Sequence, residues 1–103
     1  MKKTIYVFVR NDLSFPQKVV QSSHAVLEAT RAFIKDEERY KIIVVAAKSE
    51  VKLKLIMEEA AQNQINTVAF TEPDMDNQVT AIATEPLDDE KKQVFARYKL
   101  LSE

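Results

Sequence analysis

Glycine is absent from this sequence, and so is cysteine. Without glycine there is no phosphate-cradling loop and no dinucleotide fingerprint, because both need a backbone that approaches the ligand closely. Tight turns then fall to Asn, Asp and Pro. Without cysteine, disulfides, thiol nucleophiles and thiolate metal sites are excluded, and a reducing cytoplasm is the expected compartment. Long apolar runs are missing too. The opening MKKTIYVFVRND holds a short run that stops at Arg10 with no small-residue cleavage site, so it reads as a first strand and not as a secretory signal. Nothing reaches the length of a membrane span. A formal charge of −1 argues against a general nucleic-acid coat. Yet residues 1–35 carry six basic groups against two acids, and residues 36–103 carry nine against fourteen. Such polarity either presents one positive face to a polyanion or is ordinary solvated charge.

What is present suits one globular domain over residues 1–103, with 46% hydrophobic and 30% charged residues around a single core. TIYVFVR (Thr4–Arg10) and KIIVVAA (Lys41–Ala47) are apolar without strict alternation, as in strands buried on both faces. A helix-length segment separates them, which predicts a βαβ crossover and a parallel central pair. That helix starts near Ser14: Ser14 and Gln17 have capping-box spacing, and Pro16 falls in the first turn. The spacing sets Val20, His24, Leu27, Arg31 and Ile34 on one side, with Gln17, Gln21, Glu28 and Lys35 as the wet stripe. Ser49 caps a second helix over roughly 50–64, anchored by Val51, Leu55 and Ile56. NTVAF (Asn66–Phe70) and QVTAIAT (Gln78–Thr84) read as two more strands joined by the acidic turn TEPDMDN. A short third helix runs from Leu87 to about Tyr98 with Asp88 as its cap, and KLL at Lys99–Leu101 adds an edge pairing. The expected fold class is α/β, a three-layer mixed four-stranded sheet flanked by helices. Ligands in such sheets sit beyond the carboxyl ends of the parallel strands. If the third strand is also parallel, the links Asn11–Gln17, Lys48–Ser49 and TEPDMDN meet on one rim.

A strand ending in R-x-D-L (Arg10, Asp12, Leu13) and a helix carrying Q-x-x-H-A (Gln21, His24, Ala25) resemble the type 2 peptidyl-tRNA hydrolase family. VTAIA (Val79–Ala83), Pro86 and the closing KLL follow in the order of that family, over nearly the whole chain. A peptidyl-tRNA hydrolase domain-containing branch, with a glutamate-proline link before the last long strand, is the nearer likeness. The resemblance implies hydrolysis of the ester between a nascent peptide and the 3′ ribose of tRNA, in a cytoplasmic homodimer and without a cofactor. Carried over by position, the family's lysine, acid and threonine fall on Lys18, Glu72 and Thr80. Two departures stand out. The lysine loop is SFPQK, glycine-free and shortened, so that Lys18 precedes Gln21 by three positions instead of four, a rotation of about 100°. The acid is glutamate where aspartate is usual, followed by PDMD in place of glycine.

Ester hydrolysis needs a delivered water, a stabilised oxyanion and a proton for the leaving ribose oxygen. Lys18 suits developing negative charge or a terminal phosphate; a first-turn lysine is also an ordinary surface charge. Glu72 suits a base for water, particularly if desolvated beside Lys18, or belongs to a plain acidic turn with Asp74 and Asp76. The calcium-loop pattern is missing from that turn, so no metal is expected. His24 is a proton shuttle or a hydrogen-bonded structural residue at the edge of the helix. Gln21 and Asn11 suit a ribose or backbone contact. Arg10, Lys18 and Lys48 are the phosphate-binding candidates, and Asp12 orients Arg10. The partner implied is the tRNA acceptor end with its peptide. The alternative is a module on the same fold that binds tRNA or a small anion without cleaving it.

Overall fold

The computed structural model describes residues 3–101. Four strands, β1 (Thr4–Arg10), β2 (Lys41–Ala47), β3 (Thr67–Glu72) and β4 (Gln78–Thr84), form one sheet in the order β2-β1-β4-β3. Helix α1 (Phe15–Phe33) connects β1 to β2, and α2 (Glu50–Gln62) connects β2 to β3. β1 pairs with β2 in parallel and with β4 antiparallel, and β3 pairs antiparallel with β4. β3 therefore runs parallel to β1, and the carboxyl ends of β1, β2 and β3 share one rim. The sequence predicts a central parallel pair, but the pair lies at one side of the sheet, because β4 inserts between β1 and β3. β2 lies at an edge, partly covered by Leu100 opposite Val45 and by the Leu101 N–H donated to the Val44 carbonyl at 2.8 Å.

The sheet has a helix against each face. Ile5, Val7, Val9, Ala81 and Ala83 face α1, where Ala25 and Ala29 allow close approach. Tyr6, Phe8 and Ile82 face α2, packing with Leu53, Ile56 and Phe95. Both helix starts match their sequence signals. Ser14 and Gln17 form a reciprocal capping box, and the Ser49 side chain accepts from the Lys52 N–H.

The helix faces differ from expectation. On α1 the buried residues are Lys18, Gln21, Ser22, Ala25 and Ala29, while Val19, Val20 and Leu27 are about half exposed. Gln21 is thus an inward group and not part of a wet stripe. Hydrophobic spacing selected the wrong stripe because the sheet beneath α1 presents small alanines, which admit small and polar partners. On α2, Ile56 is buried as expected, but Val51 and Leu55 are exposed and Leu53 and Ala60 take the inner positions. The third helix shrinks to a 3₁₀ turn over Lys91–Phe95 whose N-cap is Glu90 and not Asp88; Asp88, two residues earlier, still accepts from the Lys91 N–H at 2.8 Å.

Turns without glycine leave a visible trace. Asp76 and Asn77 adopt φ of 53° and 58°, the left-handed region these residues tolerate. Gln64, at φ 56°, does the same after α2 without that advantage.

Candidate active site

One irregularity in the sheet builds the site. Phe70 pairs with Ala81 but Thr71 pairs with Val79, so Thr80 is the unpaired extra residue of a β-bulge. Strict alternation would send Thr80 to the α2 face, since Ala81 already faces α1. The bulge re-aims it. Its Oγ1 donates to Gln21 Oε1 on α1 at 2.8 Å. Gln21 Nε2 in turn donates to Glu72 Oε2, also at 2.8 Å. The Val79 N–H is taken by the Glu50 carboxylate at the start of α2, at 2.8 Å.

Glu72 ends β3 at the rim, and its other oxygen accepts the Asp74 N–H at 3.3 Å. The Gln21 bond and the Asp74 N–H hold its carboxyl below the ordinary 4.5; partial desolvation opposes them, and the nearby His24 charge assists. Glu72 is therefore ionised at neutral pH. The residue is partly exposed, whereas Thr80 is fully buried and acts only through Gln21.

Lys18 lies one turn before Gln21 on the same inward stripe. Its side chain is packed to 7% exposure. It makes no side-chain hydrogen bond, and no ion pair within 4.0 Å, among the described residues. No fully enclosed side-chain nitrogen or oxygen there lacks a partner, so the Lys18 ammonium keeps some contact with solvent while its stem is buried. Lys18 and Glu72 thus share the α1 side of the rim without forming a salt bridge. His24, three residues or about one turn beyond Gln21, stacks on Phe70 of β3 with centroids 4.4 Å apart and planes 8° from parallel.

Arg10 departs from its expected phosphate-binding role. It follows Tyr6 and Phe8 in alternation, on the α2 side of the sheet, and is 8% exposed. Its guanidinium donates twice to Asp12, at 2.8 and 3.0 Å, and to Gln78 Oε1 at 2.8 Å. The Asp12 hydrogen bond raises the Arg10 pKa further, and the same bond lowers that of Asp12. Arg10 braces the entry to β4, with Asp12 orienting it as the sequence suggested. Asn11 and Lys48, at the ends of β1 and β2, are exposed on the rim. Asp74 and Asp76 do not gather with Glu72 into a metal set; among the described residues no three His, Asp or Glu groups do.

A family model described as peptidyl-tRNA hydrolase PTH2 matches residues 3–101. The chain belongs to the PTH2 family. The fold of this PTH2 chain is similar to that of a protein of unknown function from Agrobacterium tumefaciens strain C58, with a TM-score of 0.68 at 18% identity and 99% of each chain covered. No curated protein matches it in sequence. Among the described residues of this family member, no helix is long and apolar enough to cross a membrane.

Of the residues singled out from sequence, the structure brings Glu72, Gln21 and Thr80 into one hydrogen-bonded chain, with Lys18 and His24 on the same face of α1. Arg10 lies apart from them, across the sheet. Glu50, Phe70 and Gln78 were missed. Each acts through a contact across at least ten residues of sequence, and only the bulge at Thr80, which has no sequence signature here, makes the first of them necessary.

Proposed function

We propose that this PTH2 chain hydrolyses the ester of peptidyl-tRNA, releasing free tRNA and peptide. The observation that carries the reading is the Thr80–Gln21–Glu72 chain, which ends in an ionised, partly exposed carboxylate at the rim where α1 begins. Water held by Glu72 attacks the ester carbonyl carbon and passes a proton to the carboxylate. The Lys18 ammonium stabilises the resulting oxyanion. As the tetrahedral intermediate collapses, the bond to the ribose oxygen breaks, and Glu72 returns the proton to that oxygen. Gln21 and Thr80 fix the carboxylate and touch no substrate themselves. His24, stacked on Phe70, favours the ionised form of Glu72. Asn11 and Lys48 lie where the polynucleotide would leave the site.

Purified protein incubated with N-blocked aminoacyl-tRNA is expected to release free tRNA. If release never exceeds a heat-killed control, even with enzyme equal to substrate, the catalytic reading fails. One feature favours the non-catalytic alternative: a carboxylate held below its ordinary pKa is a weaker base. Tight, salt-sensitive tRNA binding without cleavage would select that alternative.

The half-exposed Leu27 on α1 and Ile42 on β2 line a shallow cavity of about 460 Å³ together with Ser22, Ser23, Val26 and Val44. We assign this apolar surface to a second copy of the chain, in a cytoplasmic homodimer. Light scattering that shows only monomer at micromolar concentration would remove that assignment.

A further inference from the structure

At the end of β1 and β2, on the α2 side of the rim, a cleft of about 330 Å³ is lined by Asn11, Lys48, Arg97, Tyr98 and Lys99 together with the backbone at Ala46–Ala47. Its charge is one-sided. The Arg97 guanidinium lies 4.5 Å from the Tyr98 ring centroid and the Lys52 ammonium 5.4 Å from it. The lining holds three cationic side chains and no acidic one; just outside it, Glu59 is engaged by Arg97 and the Tyr98 hydroxyl, and Asp12 by Arg10. Among the described residues, Lys48 and Lys99 are exposed and make no ion pair, and the Asn11 side chain makes no hydrogen bond. Tyr98 is held rigid beneath them by its edge-on contact with Phe8, at 5.6 Å.

From these observations we propose that the cleft is a phosphate-backbone subsite for the single-stranded end of the RNA, separate from the carboxylate that handles the ester. This rests on the hydrolase reading for the identity of the RNA, though not for its phosphate chemistry. The topology gives the spacing. Glu72 and Lys48 end strands at opposite edges of a four-stranded sheet, three strand separations or about 14 Å apart. At the roughly 3.4 Å per nucleotide of a stacked strand, that span corresponds to phosphates about four nucleotides from the ester. A polynucleotide running from the Glu72 side to the β2 edge meets Lys48 and Lys99 on exposed stems, with Asn11 between. The phosphate contacts fix its path and read no sequence.

The test compares a Lys48→Ala/Lys99→Ala double variant with a control that loses equal charge elsewhere, Lys35→Ala/Lys41→Ala. Binding of uncharged tRNA is measured from low to moderate salt, independently of any hydrolysis. The cleft variant is expected to bind about tenfold more weakly, with a log–log salt slope shallower by about 1.4, as for two lost phosphate contacts on a single strand. The control should stay within about twofold of the parent. In the hydrolysis assay, the cleft variant should lose about tenfold in kcat/KM on N-blocked aminoacyl-tRNA relative to its own kcat/KM on N-blocked aminoacyl-adenosine, which is too short to reach the cleft. Equal losses in tRNA binding by the two variants, or an unchanged salt slope in the cleft variant, would overturn the subsite. A parent protein that binds tRNA with the expected slope but releases nothing would leave the subsite standing and remove the hydrolase.

Discussion

The two faces of the sheet are built from different materials. Under α2 the packing is aromatic: Tyr6, Phe8, Phe95 and Tyr98 form a connected cluster of stacked, tilted and edge-on pairs with centroids 5.2–6.3 Å apart, closed by Leu53 and Ile56. Under α1 it is made of valines and alanines, and the helix sends a glutamine, a serine and a lysine stem inward. The difference teaches where stability and chemistry reside. Large rings fill the space under α2 and leave no room for an unpaired polar group. Small residues under α1 let the helix come close enough for one glutamine side chain to reach both β3 and β4. The aromatic face is the anchor, and the alanine face is where polar groups can be held buried yet satisfied.

The largest expected effect tests the anchor. Phe8 is fully buried and touches three other rings or ring edges, so Phe8→Ala should lower stability by about 3–5 kcal/mol, read as a shift in the urea midpoint. A loss below about 1 kcal/mol would mean that the ring cluster does not carry the fold, and the contrast between the faces would dissolve.

The contrast also explains which parts of the molecule were legible in the sequence. The strands and helix starts announced themselves through continuous apolar runs and through serine caps at Ser14 and Ser49, which are local signals. The inward face of α1 did not. Periodicity counts hydrophobic residues, and on this helix Val19, Val20 and Leu27 point outward while Lys18 and Gln21 point in. That inversion depends on the alanines of β4, a feature of the far side of the contact. Glu72, Gln21 and Thr80 were singled out through the resemblance of their motifs to a family. Their hydrogen-bonded order was not, because it follows from a bulge that shifts the register by one residue. Arg10 was misjudged for a related reason: a charged residue at a strand end looks available until Asp12 and Gln78 are seen to occupy it.

A smaller effect should separate rate from stability on the α1 face. Lys18→Ala removes an ammonium that contacts solvent and no protein partner, so turnover of N-blocked aminoacyl-tRNA should fall at least about tenfold, or about 1.4 kcal/mol in barrier. Its unfolding free energy should fall by about 1–2 kcal/mol, less than for Phe8→Ala, because the truncated aliphatic stem is buried. A variant that keeps full turnover would show Lys18 to be a surface charge. One that is destabilised as strongly as Phe8→Ala would show the α1 face to be a second anchor.

The smallest effect concerns the protonation of Glu72, and its sign follows from the hydrogen bonds. The Gln21 amide and the Asp74 N–H both favour the carboxylate, so the folded pKa lies below 4.5 and the ionised form persists as pH falls through the ordinary carboxylate range. The acid limb of kcat should therefore lie below 4.5. Gln21→Met keeps most of the side-chain volume but removes the larger of these bonds and leaves Thr80 with only a 3.5 Å contact to the Phe70 carbonyl. In that variant the limb should move upward, toward 4.5, while activity on the alkaline side changes less. The stabilisation that Glu72 gains from its partners is present above 4.5 and is lost as pH falls through the folded pKa, so the variant should also show a weaker dependence of stability on pH in that window. If the limb stays where the parent has it while the variant remains folded, the glutamine bridge does not set the charge of Glu72. The polar chain under α1 would then be packing, no different in kind from the rings on the other side of the sheet.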